Sequence, residues 1–352
     1  MVKDRMKNID CLKGIAILLV VLGHSIQYLY GNEVAFHNRL FNYIYSFHMP
    51  LFMFISGFVS YKIYVSWDNI KKRAYQLLPP FFICPLIASL LFEGKFEINS
   101  FLRLLKNPDS GLWFLYVLFI ISTYFTIVRL TTQRIGRGIS ENDITTQKWQ
   151  TIILLVSGLF LFFACSIVSI KLSNNEDINF DCGTPLIALH SVFYMSGLIT
   201  KIYYERFIDL LKKSWMFLMI IWFLLASFWE FGHKPTFIAN PNLIVRVAYY
   251  YITAFAGIFM MIAASLKFVK QERDDWMLKS ITSLGTMTLG IYALHLSFII
   301  GVVRDWVVLF EWNHELSVLT VFVLTTLGSV LLIKIVELGN LAPQLILGKN
   351  QF

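Results

Sequence analysis

Three histidines stand where a histidine is costly. His24, His48 and His295 fall near the middle of long apolar stretches, and an ionisable side chain at such a depth marks a functional site by default. Lys13 precedes His24 by eleven residues. On a helix that spacing leaves the two about 20° apart around the axis and about 16 Å apart along it, so they share one face. Asp10, three residues before Lys13, lies on the same stripe and can pair with its ammonium. The stripe therefore runs from an ion pair at one end to an imidazole about halfway along. A neutral imidazole placed there can serve as a general base or as a nucleophile. The plainer readings are a snorkelling anchor for Lys13 and satisfied packing roles for single histidines. Alignment of Lys13 with His24, and three histidines at similar depth, weigh against them. Pro50, two residues after His48, would clash with the carbonyl of residue 46 and free backbone polar groups, so a kink lining a polar cavity is expected there. Imidazole also ligates zinc, copper or iron, which makes a three-histidine metal site a minor alternative, although no helix places two histidines at i and i+4.

The elements that must carry these groups follow from composition. The chain has 352 residues, of which 57% are hydrophobic and 15% charged. Soluble domains carry about 25% charged residues, so no polar shell large enough to cover this core can be assembled. A membrane helix needs about 20 apolar residues, and the hydrophobic residues suffice for about ten spans with no separate soluble domain. Apolar runs place the spans near 14–30, 40–61, 77–92, 112–128, 151–170, 185–200, 214–231, 244–266, 284–303 and 316–338. The expectation is one all-α polytopic transmembrane helical bundle over residues 1–352. The stretch 77–92 is the shortest and holds Pro79, Pro80 and Pro85, so a kinked or partly re-entrant helix is expected.

The net charge of +8 invites a nucleic-acid partner, but location decides its meaning. With the N-terminus inside, 22 of the 30 basic residues fall in cytoplasmic segments, among them Lys3, Arg5, Lys7, Lys13, Lys62, Lys71, Lys72, Arg73 and Arg129. The opposite side keeps eight: Arg39, Lys95, Arg103, Lys106, Lys171, Lys234, Arg246 and Arg304. Between them, Glu176, Asp177 and Asp181 make one outer segment acidic. This asymmetry is the positive-inside signature, so the excess sets orientation and the partner is the lipid bilayer rather than nucleic acid. Both termini are expected in the cytoplasm of a multi-pass protein of the cell's inner membrane. The first span resembles a secretory signal, yet it lacks a small-residue cleavage site and runs on into Gln27 and Tyr28, so a retained anchor is expected. Cys11, Cys84, Cys165 and Cys182 have no metal-ligand spacing. No Walker loop, dinucleotide fingerprint or internal repeat appears.

Longer motifs surround the polar residues. Ile9-Asp10-Cys11-Leu12-Lys13-Gly14 leads through an apolar run to Gly23-His24, and Phe47-His48-Met49-Pro50-Leu51-Phe52-Met53-Phe54-Ile55-Ser56-Gly57 follows. Lys72-Arg73 precedes Leu78-Pro79-Pro80, Trp113-Phe114-Leu115 opens the fourth span, and Leu284-Gly285 is followed by Gly290-Ile291-Tyr292-Ala293-Leu294-His295. Together these resemble the acyltransferase-3 family of integral-membrane O-acyltransferases over the whole chain, and are most similar to its fucose 4-O-acetylase-like branch. Family members carry Arg, ten residues, then His. Here the pair is Lys13 and His24, which keeps the charge but loses the planar fork that grips a phosphate bidentately. A second family pattern has two Arg three apart before Leu-Pro; this chain has Arg73 but Gln76. Arg134 and Arg137 repeat the spacing without motif-like surroundings and read as topology signals.

The resemblance implies acyl-coenzyme A as co-substrate, acetyl most often, and a carbohydrate hydroxyl of a cell-surface or exported glycan as acceptor. No permanently bound cofactor and no metal are implied. Catalysis then falls to His24, with Lys13 and His48; Lys13, Lys72 and Arg73 face the phosphates of the donor. Asp10, Trp113, Tyr292 and His295 are placed with the substrate, Trp113 being either a sugar-stacking ring or an interfacial belt residue. His48 and His295 are open to orienting His24, binding the acceptor or protonating the thiolate. The chain is expected to be the standalone form without a periplasmic hydrolase-like domain. The main alternative is a polytopic transporter or flippase of a glycan or lipid-linked intermediate, since carriers also bury titratable groups.

Overall fold

The computed structural model describes residues 7–94, 111–135, 144–173, 181–269, 275–339 and 342–348. Of the charged residues used above for topology, Lys3, Arg5, Lys95, Arg103, Lys106, Arg137, Glu176, Asp177, Lys270, Arg273 and Lys349 lie outside them. The fold is all-α and polytopic, with a two-residue β-hairpin as its one departure among the described residues. Nine described segments are long and apolar enough to cross a membrane. The tenth expected span is the short apolar helix Trp215–Ser227. Its 13 residues rise only about 20 Å. The contacts divide the chain into two compact units.

Unit 1 comprises Met1–Phe52 and Tyr204–Ile333. It begins with α1 (Lys7–His37), whose backbone turns out of helical geometry at Gly31, φ 75°. Then come α2 (Arg39–Tyr45) and the start of α3 (His48–Ser60). The break between them falls just before Pro50, where a kink was expected, and Arg39–Ser60 together make one segment long and apolar enough to cross a membrane. Pro50 occupies the first turn of α3, where its missing N–H costs nothing, and so it opens a new helix instead of bending an old one. After α3 the chain passes through unit 2 before it returns to unit 1 at Tyr204.

Unit 2 comprises Met53–Tyr203 and Lys334–Phe352. It holds α4 (Trp67–Glu93), α5 (Trp113–Ile135), α6 (Ile144–Ser173) and α7 (Thr184–Ile202). α4 extends the span expected at 77–92: it is one 27-residue helix that contains all three prolines and ends on Gly94 in the left-handed conformation. Pro80 leaves the Gln76 carbonyl without its helical donor, and the backbone of Gly348 packs on that carbonyl. α3 and α7 approach backbone to backbone. A Cβ on Gly57 would overlap the Tyr194 carbonyl, and one on Gly197 the Phe54 carbonyl, so small residues set the contact.

The rest of unit 1 is α8 (Tyr204–Lys213), α9 (Trp215–Ser227), the hairpin β1 (Trp229–Glu230) and β2 (Lys234–Pro235), α10 (Leu243–Phe268), α11 (Trp276–Thr286), α12 (Thr288–Leu294), α13 (Ile300–Val308) and α14 (His314–Glu337). The strands pair antiparallel, Glu230 opposite Lys234. The chain closes with α15 (Ala342–Leu347), in unit 2. α1 packs lengthwise on α11, and the reason is again glycine. A Cβ on Gly14 would overlap the Ile281 carbonyl, and one on Gly285 the Asp10 carbonyl. Lys13-Gly14 and Leu284-Gly285, distant in sequence, are thus two halves of one helix crossing. Between α12 and α13 the ladder opens into a π-helical turn, His295–Ile299, with the Ile300 N–H donating to the His295 carbonyl. Such one-turn bulges re-aim side chains and recur at functional sites.

Candidate active site

His24 projects from α1 in unit 1, and His295 from the π-helical turn meets it with ring centroids 5.4 Å apart and planes tilted by 47°. His295 is fully buried. Its Nδ1 lies 2.8 Å from the Ile291 carbonyl, while its Nε2 is buried with no hydrogen-bond partner among the described residues. A carbonyl only accepts, so Nδ1 carries the hydrogen and Nε2 keeps a bare lone pair. Tyr292, one turn earlier, is buried with its ring 5.9 Å from that of His295. His48, at the first position of α3, repeats the arrangement: its Nδ1 is 2.8 Å from the Ile44 carbonyl, which fixes the same tautomer.

Tyr45 ties α2 to both neighbours. Its ring meets His48 edge-on at 4.6 Å, and its hydroxyl points to Gln27 Oε1 at 3.4 Å. A Cβ on Gly23 would press on the Tyr45 ring, which explains glycine just before His24. Gln27 Oε1 also lies 3.2 Å from His24 Nδ1. Neither Gln27 nor Tyr45 was singled out from sequence as a site residue. Gln27 had a readable signal, since it follows His24 by three residues and so lies on the next turn of the same face. Tyr45 had none, because its role depends on the α1–α2 packing.

Lys13 and Asp10 form the expected pair at 3.8 Å, with the Asp10 side chain buried and the Lys13 side chain 28% exposed. Unit 1 thus brings together Asp10 with Lys13, and His24 with His295 and Tyr292, on elements packed along α1. Among the described residues, no three His, Cys, Asp or Glu are placed to hold a metal ion.

Lys72, Arg73 and Trp113 belong to unit 2. Lys72 and Arg73, on the first turns of α4, line a cavity of about 180 Å³ with Ser60, Lys62, Gln76 and Tyr194. The Arg73 guanidinium donates to Ser60 Oγ at 2.5 Å, and Ser60 Oγ in turn to the Ser56 carbonyl at 2.5 Å. Gln76, the position that departs from the family's paired arginines, faces the same cavity. Arg129 reads in sequence as a topology signal, yet it is buried; it lies over the Tyr61 ring at 4.4 Å and donates to the Lys62 carbonyl, fixing the rim of this basic pocket. Trp113 packs at 5.0 Å on the buried ring of His190.

The sequence is similar to proteins already described. A family model described as an acyltransferase domain matches residues 6–334. Nodulation protein NolL of Mesorhizobium japonicum is 35% identical over 139 residues, covering 37% of this chain and 36% of that protein. Nodulation protein NolL of Sinorhizobium fredii is 34% identical over 143 residues, covering 37% of this chain and 39% of that protein. The chain is thus matched to less than two fifths of the length of these curated relatives. No solved structure matches it. A match that runs from the start of α1 into the last turn of α14, over the motifs that build the helix crossing and the histidine cluster, establishes that the chain belongs to the acyltransferase-3 family.

Proposed function

We propose that the protein is a membrane O-acyltransferase that moves an acyl group, acetyl in the simplest case, from acyl-coenzyme A to a carbohydrate hydroxyl of a cell-surface or exported glycan. The observation that carries this reading is the His24–His295 contact, two imidazoles held together by a π-helical turn inside an apolar unit. His24 Nε2 takes the proton of the acceptor hydroxyl as its oxygen attacks the thioester carbonyl. The carbon–sulfur bond breaks, the ester forms, and the imidazolium returns the proton to the departing thiolate as free coenzyme A. His48 and His295 orient His24 and accept from the incoming hydroxyls. Tyr292 keeps the His295 ring in place.

The donor is held by its phosphates. The cavity beside Lys62, Lys72 and Arg73 has the volume for phosphate groups rather than the whole donor, and its cations suit them. Lys13 adds an ammonium at the cytoplasmic end of the α1 stripe. In this reading both termini lie in the cytoplasm of an inner-membrane protein, where coenzyme A is available, and the acceptor reaches His24 from the other face. Trp113, packed on His190 within its own unit, offers an aromatic face that suits a sugar ring.

The test is direct. Purified protein is incubated with labelled acetyl-coenzyme A and isolated membranes carrying native glycans, and free coenzyme A and labelled glycan are measured. Equal release of both by the wild type, and neither by His24→Ala at normal abundance, is the expected result. Glycan movement across vesicles without coenzyme A release would overturn the reading in favour of a carrier.

A further inference from the structure

We propose that Gln27 is the positioning residue of His24, holding its ring with Nδ1 protonated and Nε2 bare; this rests on the reading of His24 as the base. The orientation of the Gln27 amide settles the chemistry. Its Nε2 donates to Asn32 Oδ1 at 2.8 Å, so the NH₂ end points away from the histidine. Its Oε1 is then the atom 3.2 Å from His24 Nδ1, and the Tyr45 hydroxyl donates to the same oxygen at 3.4 Å. An amide oxygen only accepts, so His24 Nδ1 must donate to it. The lone pair is left on Nε2, the nitrogen a general base needs.

The arrangement has a consequence for the acceptor. His48 and His295 are locked into the same tautomer by the Ile44 and Ile291 carbonyls. The three imidazoles therefore offer acceptor nitrogens, and the buried Nε2 of His295 has no donor to meet it among the described residues. A cluster of acceptors without donors suits a ligand that brings its own O–H groups, which is what adjacent hydroxyls of a sugar ring supply. When His24 takes the hydroxyl proton, the Gln27 oxygen is already aligned on the Nδ1–H of the imidazolium, so no reorganisation is required.

Gln27→Leu and Gln27→Glu test this in the full chain. Removing such an orienting partner costs about 10- to 100-fold, so Gln27→Leu is expected to lower the rate of acetyl transfer from acetyl-coenzyme A to isolated membranes by that factor. The ¹⁵N signals of histidine-labelled protein in micelles, with His24 assigned by its loss in His24→Asn, should show Nδ1-protonated His24 in the wild type and both tautomers in Gln27→Leu. Gln27→Glu retains the acceptor geometry and adds a negative charge, so it should keep the single tautomer and move the acidic limb of the pH–rate profile to higher pH. Wild-type tautomer, rate and pH profile in both variants, with transfer still abolished in His24→Ala, would overturn the positioning role and leave the parent reading intact. Undiminished transfer in His24→Ala would overturn both.

Discussion

The rings of His24 and His295 stand 5.4 Å apart, one on the first helix and the other near the end of the chain. Nothing local brings them together. α1 is drawn onto α11 by the Gly14 and Gly285 crossing, α12 continues from α11, and the π-helical turn then aims His295 at the middle of α1. Two glycines and one irregular turn thus assemble the cluster.

If His24 is the base, His24→Ala should lower acetyl transfer by about 10²- to 10⁴-fold, the range that a lost general base costs. His295→Ala should lose less, about 10- to 100-fold, as expected for a residue acting through another. Coenzyme A release at matched membrane abundance checks both, and a His295→Ala rate equal to wild type would remove that residue from the site.

The donor-side cations should act on affinity. Lys13→Arg should retain activity because the charge stays, whereas Lys13→Ala and Arg73→Ala should each raise the KM for acetyl-coenzyme A about tenfold or more, a loss of at least one charge-assisted contact. Titration of initial rates against acetyl-coenzyme A separates this from a kcat effect. An unchanged KM in Arg73→Ala would leave the guanidinium with only its structural bond to Ser60.

The α1–α11 crossing makes a steric prediction. Gly285→Ala and Gly14→Ala each force a methyl into a backbone carbonyl that cannot move without separating the helices. Overpacking of this kind costs about 1–3 kcal/mol or more. A lower unfolding temperature in detergent is expected, with transfer lost beyond what the lost stability explains, since the same crossing places His24 against His295. Gly301→Ala, where a Cβ meets open space, is the control.

A pH prediction comes from the β1–β2 hairpin. His233 sits there in the left-handed conformation, φ 65°, packed at 4.1 Å on Tyr250. Burial, and then the charge of Arg246, hold its pKa down to about 4 from 6.5. Above pH 6.5 neither state binds the proton; between about 6.5 and 4 the unfolded chain binds it and the folded chain does not. Stability is therefore full at neutral pH and lost as pH falls through that window, by about 2 kcal/mol at pH 5. His233→Asn tolerates the left-handed backbone and should flatten the fall in unfolding temperature between pH 7 and pH 5. An identical fall in the variant would assign it to other groups.

Much of this was legible in the sequence. Among the described residues, nine of the ten apolar runs lie in segments long and apolar enough to cross a membrane, and the family match spans the motifs read from the sequence. The second span was expected with a kink at Pro50, and Arg39–Ser60 is one membrane-length segment broken just before it; whether Pro50 sits inside a helix or in its first turn depends on the neighbouring backbone. The prolines of α4 suggested a kinked or partly re-entrant helix over 77–92, yet the polar residues from Trp67 onward belong to the same helix. Hydropathy cannot see that extension.

What the sequence determined by itself was periodic and local: the runs that must leave water, and the single helical face shared by Asp10, Lys13 and His24, since spacing and the 3.6-residue turn fix those directly. Only the tertiary structure decided which nitrogen of each imidazole is bare. That depends on the carbonyls of Ile44 and Ile291 and on the Gln27 amide, with its links to Tyr45 and Asn32. It likewise decided that His295 meets His24, because helix crossing and a π-helical turn arise from packing between distant segments. No spacing along one helix encodes such contacts.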